Sequence, residues 1–252
     1  MKHISFALAL IACIVAFSSV RLLPNVGRTI HHDWGVFFRP QALDPYSKPG
    51  MYPPWVFTAL LPLAVLPVHL GYGALVTLSL LIIVKYTGKW WRTLLLVLCQ
   101  PVMECLFIGQ IDCLMILAFM APPNLTLLVT ACKPQAMLAY GLRRSTKTGL
   151  VILSSVILLS LAIWGNWPAR LSGTDLAWGW NQFKYAMIPI GIVLVLNQKE
   201  LLWLAGGALI TPFLLPYHLT PLLAYVYKRE RWWVLVLVTL STWAAKTIGV
   251  MK

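Results

Sequence analysis

Acidic side chains are scarce in this chain: seven Asp and Glu stand against twenty Lys and Arg among 252 residues, for a formal net charge of +13. All charged residues together make up only 11%, whereas an ordinary soluble domain carries about a quarter of its residues as mixed charges, so a solvated globular surface is excluded. The cysteines are few and unpaired by spacing. Cys13, Cys99, Cys105, Cys113 and Cys132 form no CxxC pair, are odd in number, and sit inside or at the ends of apolar runs. They read as packing residues, with neither a disulfide framework nor a zinc site implied. No nucleotide-binding fingerprint of the GxGxxG or GxxxxGK[ST] kind is found, and there are no internal repeats, low-complexity tracts or soluble domains. The basic residues are spread through short loops without clustering beside aromatic platforms, so topology and anionic lipid account for them and nucleic acid is not an expected partner.

What is abundant is apolar. Hydrophobic residues make up 60% of the chain and its mean hydropathy is +0.79. A bilayer core of about 30 Å needs roughly 20 apolar residues per helix, which leaves room for about eight to ten membrane segments. The runs are too continuous for barrel strands with a period of two, and a spanning segment must satisfy its own backbone, so helices are expected. The expected fold is an all-α polytopic membrane protein: one transmembrane domain over 1–252, a helical bundle, with an extracytoplasmic loop over 21–54 that carries juxtamembrane helices. Apolar runs occupy about 4–20, 55–67, 71–84, 93–108, 110–121, 125–142, 149–164, 185–196, 201–215, 217–227 and 232–245. The first, MKHISFALALIACIVAFSSV, has the look of a secretory signal and is taken as a retained first helix.

The basic clusters Lys85, Lys89, Arg92; Arg143, Arg144, Lys147; and Lys228, Arg229, Arg231 are expected on the cytoplasmic side of the plasma (inner) membrane. From the second cluster onward, single crossings then put 166–183 outside, 197–200 inside and 216–218 outside. Upstream, two apolar runs separate the 21–53 loop from Lys85, although the two belong on opposite sides. One run therefore does not span. The 55–67 run, interrupted by Pro62 and closed by Pro67, is expected to be juxtamembrane or partly inserted. By a similar argument 121–142, centred on Lys133-Pro134-Gln135, is expected to be a pair of half-helices meeting near the outer face.

Charge at bilayer depth is costly and normally faces a cavity or a partner. Glu104 and Asp112 lie in QPVMECLFIGQIDCLMILAFM and Lys133 in LLVTACKPQAML. On a continuous helix the two carboxylates would be about 80° apart in azimuth and about 12 Å apart in rise, so both would border one hydrophilic cavity. The plain alternative is a structural ion pair of Lys133 with Glu104 or Asp112, and the two readings coexist.

The external loop gathers Arg28, His31, His32, Asp33, Trp34, Arg39, Asp44 and Tyr46. Trp34, Phe37 and Phe38 read as interface anchors. Asp33 reads differently: a carboxylate beside basic side chains stays ionised and can accept a proton from a hydroxyl, while arginines can hold a phosphate. Asp44, ahead of Pro45, reads as a turn organiser. His31-His32-Asp33 has no second ligand cluster, so no metal site is expected, and no cofactor.

The order HHDWGVFF, LDPYSKPGMYPPWVFTALLPLAVLP, PVMECLFIGQID, TACKPQAMLAYGLRR and LITPFLLPYHLTPLL resembles the successive motifs of glycosyltransferase family 87. These are polyprenyl-phosphate-sugar-dependent, mannosyltransferase-like proteins of the C-type glycosyltransferase fold. The resemblance runs from about residue 30 to 225, in a shortened chain, with Asp112 where the family commonly has asparagine. It implies inverting transfer of a mannose-like sugar from a polyprenyl-phosphate donor at the outer face, with Asp33 as general base. It also implies donor or acceptor contacts near Tyr46, Tyr52, Gln110, Lys133 and His218. To these the charge reading adds Arg28, His32, Arg39, Glu104 and Asp112, and Gln135, beside Lys133-Pro134, completes the candidate set. Partners expected are the lipid-linked sugar and membrane lipid. The rival readings are a non-catalytic subunit of a larger membrane complex and a small-solute or lipid transporter.

Overall fold

The computed structural model describes residues 30–45, 52–170, 184–210 and 216–247. The expected first helix over 4–20, together with Arg28 and Tyr46, lies outside them. Among the described residues there is no strand. A π-helical turn, Trp34–Phe38, runs into α1 (Arg39–Leu43). Then follow α2 (Pro54–Ala64), α3 (Val68–Thr87), α4 (Trp90–Val97), α5 (Gln100–Ile108), a 3₁₀ helix (Asp112–Phe119), α6 (Pro123–Cys132) and α7 (Pro134–Arg144). After these come α8 (Lys147–Trp164), a 3₁₀ turn (Trp167–Arg170), α9 (Lys184–Leu196), α10 (Glu200–Ile210), a second 3₁₀ turn (Pro216–Leu219), α11 (Thr220–Arg229) and α12 (Trp232–Thr247).

Proline sets many of the helix starts. The helices α2, α5, α6, α7 and α11 each carry Pro in the first two positions, where the missing N–H has no intrahelical partner to lose and φ is already helical. The price is short helices. Among the described residues two helices, α3 and α8, are long and apolar enough to cross a membrane, and α4 with α5 makes a third if that bent pair is one span. The 93–108 run is accordingly not one rod: α4 and α5 meet at 75°. The bend is fastened from α12, where Thr242 Oγ1 accepts from the Gln100 amide at 3.3 Å and Trp243 Nε1 donates to the Leu98 carbonyl at 2.8 Å. The half-helix pair is present, with α6 and α7 breaking at Lys133 (φ −146°, ψ 83°). The 55–67 run forms an eleven-residue helix with Pro62 inside, little more than half of the roughly 20 residues a span needs.

Among the described residues three buried clusters make the interior. One gathers Trp34, Phe38, Tyr52, Phe57 and Tyr72, a second Ile83, Tyr86, Cys99, Cys105 and Tyr227, and a third Met115, Tyr140, Leu204 and Tyr225. Trp34 and Phe38 are fully buried, so they are core residues and not interface anchors. The helix α3 ties two poles together. Near its start Tyr72 meets the His31 ring at 5.7 Å, and near its end the Tyr86 hydroxyl accepts from Arg229. From 72 to 86 the helix rises about 21 Å. Around the second pole stand Arg144, Glu200, Tyr225, Lys228 and Arg229.

Candidate functional site

The first pole carries the site, and Trp34 fixes it. Its indole donates to the Val68 carbonyl at 3.1 Å. Two glycines let it seat: a Cβ on Gly109 would come within 2.6 Å of the Trp34 Cβ, and one on Gly71 within 2.9 Å of its ring. Gly109 also holds φ +75°, the left-handed conformation that closes α5 at little cost only for glycine. On the other side His31, itself at φ 51°, donates its backbone N–H to the Phe107 carbonyl at 2.7 Å. Asp33, between these two fastened residues, is therefore held on a rigid stretch.

From Asp33 a polar chain runs inward. Gln110 Nε2 donates to Asp33 Oδ2 and lies 3.4 Å from the Tyr217 hydroxyl. Lys133 Nζ donates to Gln110 Oε1 at 2.7 Å and pairs with Asp112. An ammonium only donates, so the amide oxygen of Gln110 must face Lys133, and its NH₂ is thereby turned to Asp33. Lys133 is 2% exposed. The rings of Tyr52 and Tyr217 lie over its ammonium at 5.4 and 5.2 Å, an arrangement that helps offset desolvation of the cation. The order from interior to mouth is Asp112, Lys133, Gln110, Asp33.

Only the outer end meets solvent, the Asp33 side chain being 26% exposed. Burial holds its carboxyl above the usual aspartate range. The Gln110 hydrogen bond, His32 and Lys133 pull it back down, and the charge of Glu104 pushes it up. His32, exposed, places Nδ1 3.9 Å from Asp33 Oδ1. His31 is shifted down by burial, with His69 and His32 acting in the same sense against its own backbone hydrogen bond. What this arrangement can do chemically is present one oriented carboxylate at the edge of a buried, charge-balanced network, where a hydroxyl could deliver its proton.

The fold thus brings together Asp33, Tyr52, Gln110, Asp112 and Lys133, with His32 at the mouth. His218 is buried with its ring 4.8 Å from that of Tyr217. Other expectations are corrected. Glu104 and Asp112 do not share a continuous helix, because Gly109 ends α5 and Asp112 opens a 3₁₀ helix. Glu104 accepts from Gln100 at 2.7 Å and reaches Asp33 through its field; the partner of Lys133 is Asp112. Arg39 is drawn to the end of α2, donating Nε–H to the Leu66 carbonyl at 3.4 Å. Lys133, with Gln110 and Asp112 as partners, serves inside the network and not as an open phosphate contact. Gln135 lies in the first turn of α7. Among the described residues no group of three or more His, Cys, Asp and Glu is placed to hold a metal.

Sequence reasoning missed Tyr217. Its one signal was adjacency to His218 in PYHLTP, and nothing in a tyrosine between two prolines distinguishes a site hydroxyl from a packing ring. Comparison with protein-family models, curated proteins and solved structures gives no match.

Proposed function

We propose that this chain is a multi-pass membrane glycosyltransferase that moves a mannose-like sugar from a polyprenyl-phosphate donor to an acceptor hydroxyl at the extracytoplasmic face of the plasma (inner) membrane. The observation that carries the reading is the hydrogen-bonded connection of Asp33 to Gln110 and on to Lys133 and Asp112: a single carboxylate, oriented from behind and open in front, is what an inverting transfer asks of its base. The motif order described above supplies the donor class. The multi-pass count of eight to ten is part of the proposal, with α2, α10, α12 and the half-helices α6 and α7 as shorter membrane segments. So is the orientation, in which the Lys85, Arg143 and Lys228 clusters face the cytoplasm.

In the proposed reaction Asp33 takes the proton of the acceptor hydroxyl as its oxygen attacks the anomeric carbon. The bond from that carbon to the phosphate oxygen breaks, and polyprenyl phosphate leaves with the electron pair. Stabilising the departing phosphate falls to His32 at the mouth, since the Lys133 ammonium is paired with Asp112 and Arg39 is held at the Leu66 carbonyl. The hydrophobic donor tail would lie along the apolar flank of the bundle.

The test is transfer of labelled sugar from polyprenyl-phosphate donors in reconstituted membranes, comparing the parent chain with Asp33→Asn. The amide is nearly isosteric but is no base, and a loss of about a hundred- to ten-thousand-fold is expected, the usual contribution of general-base catalysis. Undiminished transfer by the variant removes Asp33 from the mechanism. A parent chain inactive with every such donor turns the reading to a non-catalytic subunit of a membrane complex.

A further inference from the structure

Two thiols lie directly behind the turn that carries Gln110 and Asp112, and the polar chain does not use them. Cys105 on α5 and Cys113 in the 3₁₀ helix approach to 3.4 Å between sulfurs, and both are fully buried. Cys113 S–H donates to the Cys105 sulfur, and Cys105 S–H donates to the Gln110 carbonyl at 3.5 Å. The other described cysteines have different neighbours: Cys99 contacts Thr242 Oγ1, and Cys132 the Leu128 carbonyl, each at 3.4 Å.

We propose that Cys105 and Cys113 form an oxidisable dithiol, which thiol–disulfide exchange with a small disulfide such as glutathione disulfide closes into a bond that reshapes the turn over 106–112. In the exchange one thiolate attacks the external disulfide and displaces a glutathione thiolate. The second thiolate then attacks the mixed disulfide and displaces the other. The two cysteines lose two electrons and two protons, and two reduced glutathiones leave with them.

The geometry favours this pair because the sulfurs need to close by only about 1.4 Å to reach bonding distance, a shift that side-chain rotation and a small backbone adjustment can share. It also says what closure does. The Gln110 carbonyl loses the donor it has from Cys105, and the pull on Cys113 acts on its neighbour Asp112, the partner of Lys133. One covalent bond would thus act on both anchors of the network behind Asp33. Since both sulfurs are buried, exchange proceeds through opening of the turn, and it is slow compared with reaction at half-buried Cys132.

The inference does not depend on the glycosyl-transfer reading, and its test uses no turnover. The full chain in detergent is exposed to glutathione disulfide, free thiols are alkylated, and the protein is cleaved with chymotrypsin between the two cysteines, at Leu106 or Phe107. The expected result is loss of both alkylation sites and a Cys105 fragment joined to a Cys113 fragment until dithiothreitol separates them. Hydrogen exchange over 106–112 is expected to shift on oxidation and to return on reduction. Joining should persist in a Cys99→Ser/Cys132→Ser double variant and vanish in Cys113→Ser; if the latter does not fold, mapping of the parent chain and the double variant decides. Fragments that stay separate while Cys132 has taken up glutathione overturn the proposal. So does joining with no change in exchange over the turn, since the bond would then not reshape it.

Discussion

Lys133 and Gln110 are joined by a hydrogen bond of 2.7 Å that leaves the amide of Gln110 no choice of orientation. An oxygen must face the ammonium, so the NH₂ must face Asp33. The geometry of the mouth is therefore set by a buried cation that does not touch it, and the cation in turn is kept neutral overall by Asp112. A lysine in this position is an orienting group, and the exposed basic side chain beside Asp33 is His32.

Removing the link in the middle should uncouple the mouth from its support. Gln110→Leu is expected to lower sugar transfer about ten- to hundredfold, the rate equivalent of roughly 1.5–3 kcal/mol for a hydrogen bond to a charged group. Initial rates with labelled donor, at protein concentrations matched for folded fraction, check it.

Breaking the buried pair from one side should be far more damaging than removing it whole. Lys133→Met leaves Asp112 as an uncompensated buried charge and is expected to destabilise by about 3–5 kcal/mol. The double variant Lys133→Met/Asp112→Leu should recover most of that loss. Denaturation midpoints in detergent for both single variants and the double variant give the coupling directly.

The pH dependence carries a sign. A base must be deprotonated to act, and burial holds the Asp33 carboxyl above the usual range, so transfer should fall off with acidification at a higher pH than for an exposed aspartate of pKa about 4. Because the Glu104 charge pushes in the same direction as burial, Glu104→Gln should move that acidic limb of kcat/KM to lower pH. A limb that stays in place would separate Asp33 from the titration seen in turnover.

Three glycines on or beside α3 make a graded test of the seat for Trp34. Gly109→Ala adds both a left-handed strain and a clash with the tryptophan, and Gly71→Ala meets the Leu63 carbonyl and the Trp34 ring; each is expected to lose more than about 1 kcal/mol. Gly73, with nothing within 4 Å of a Cβ, should tolerate alanine or gain up to about 1 kcal/mol. Thermal unfolding of the three variants in one detergent ranks them.

Much of this was legible before any coordinates. The apolar composition gives helices, the prolines around Pro62 and Pro134 give the short pieces, and the rarity of charge at depth marks Lys133 as the partner of Glu104 or Asp112, which the structure resolves to Asp112. What periodicity did not reveal was that Gly109 turns the chain, because a glycine inside a hydrophobic run looks the same whether the helix continues or ends there. That one residue separates Glu104 from Asp112 and sends them to different partners. Likewise, aromatic residues next to arginines look alike whether they lie at a lipid boundary or are packed, and Trp34 was decided only by the two glycines it meets. Tyr217 had no signal of its own, since its partner Gln110 is remote in sequence.

At the pole far from Asp33, one carboxylate holds several helices. Glu200 at the start of α10 accepts from Arg144 of α7 at 3.4 Å, and from Arg229 and Tyr225 of α11 at 3.1 and 2.9 Å. Glu200 thus ties α7, α10 and α11 together at the end opposite the proposed site, apart from the buried Lys133–Asp112 pair. On the proposed function, substitution of Asp33 itself should lose turnover in a well-assembled protein, whereas substitution of Glu200 should loosen the packing of α7, α10 and α11 while the mouth around Asp33 keeps its residues. On the proposed function, exposed residues such as His32 could then change to suit a new acceptor while the Glu200 ties at the far end stay as they are.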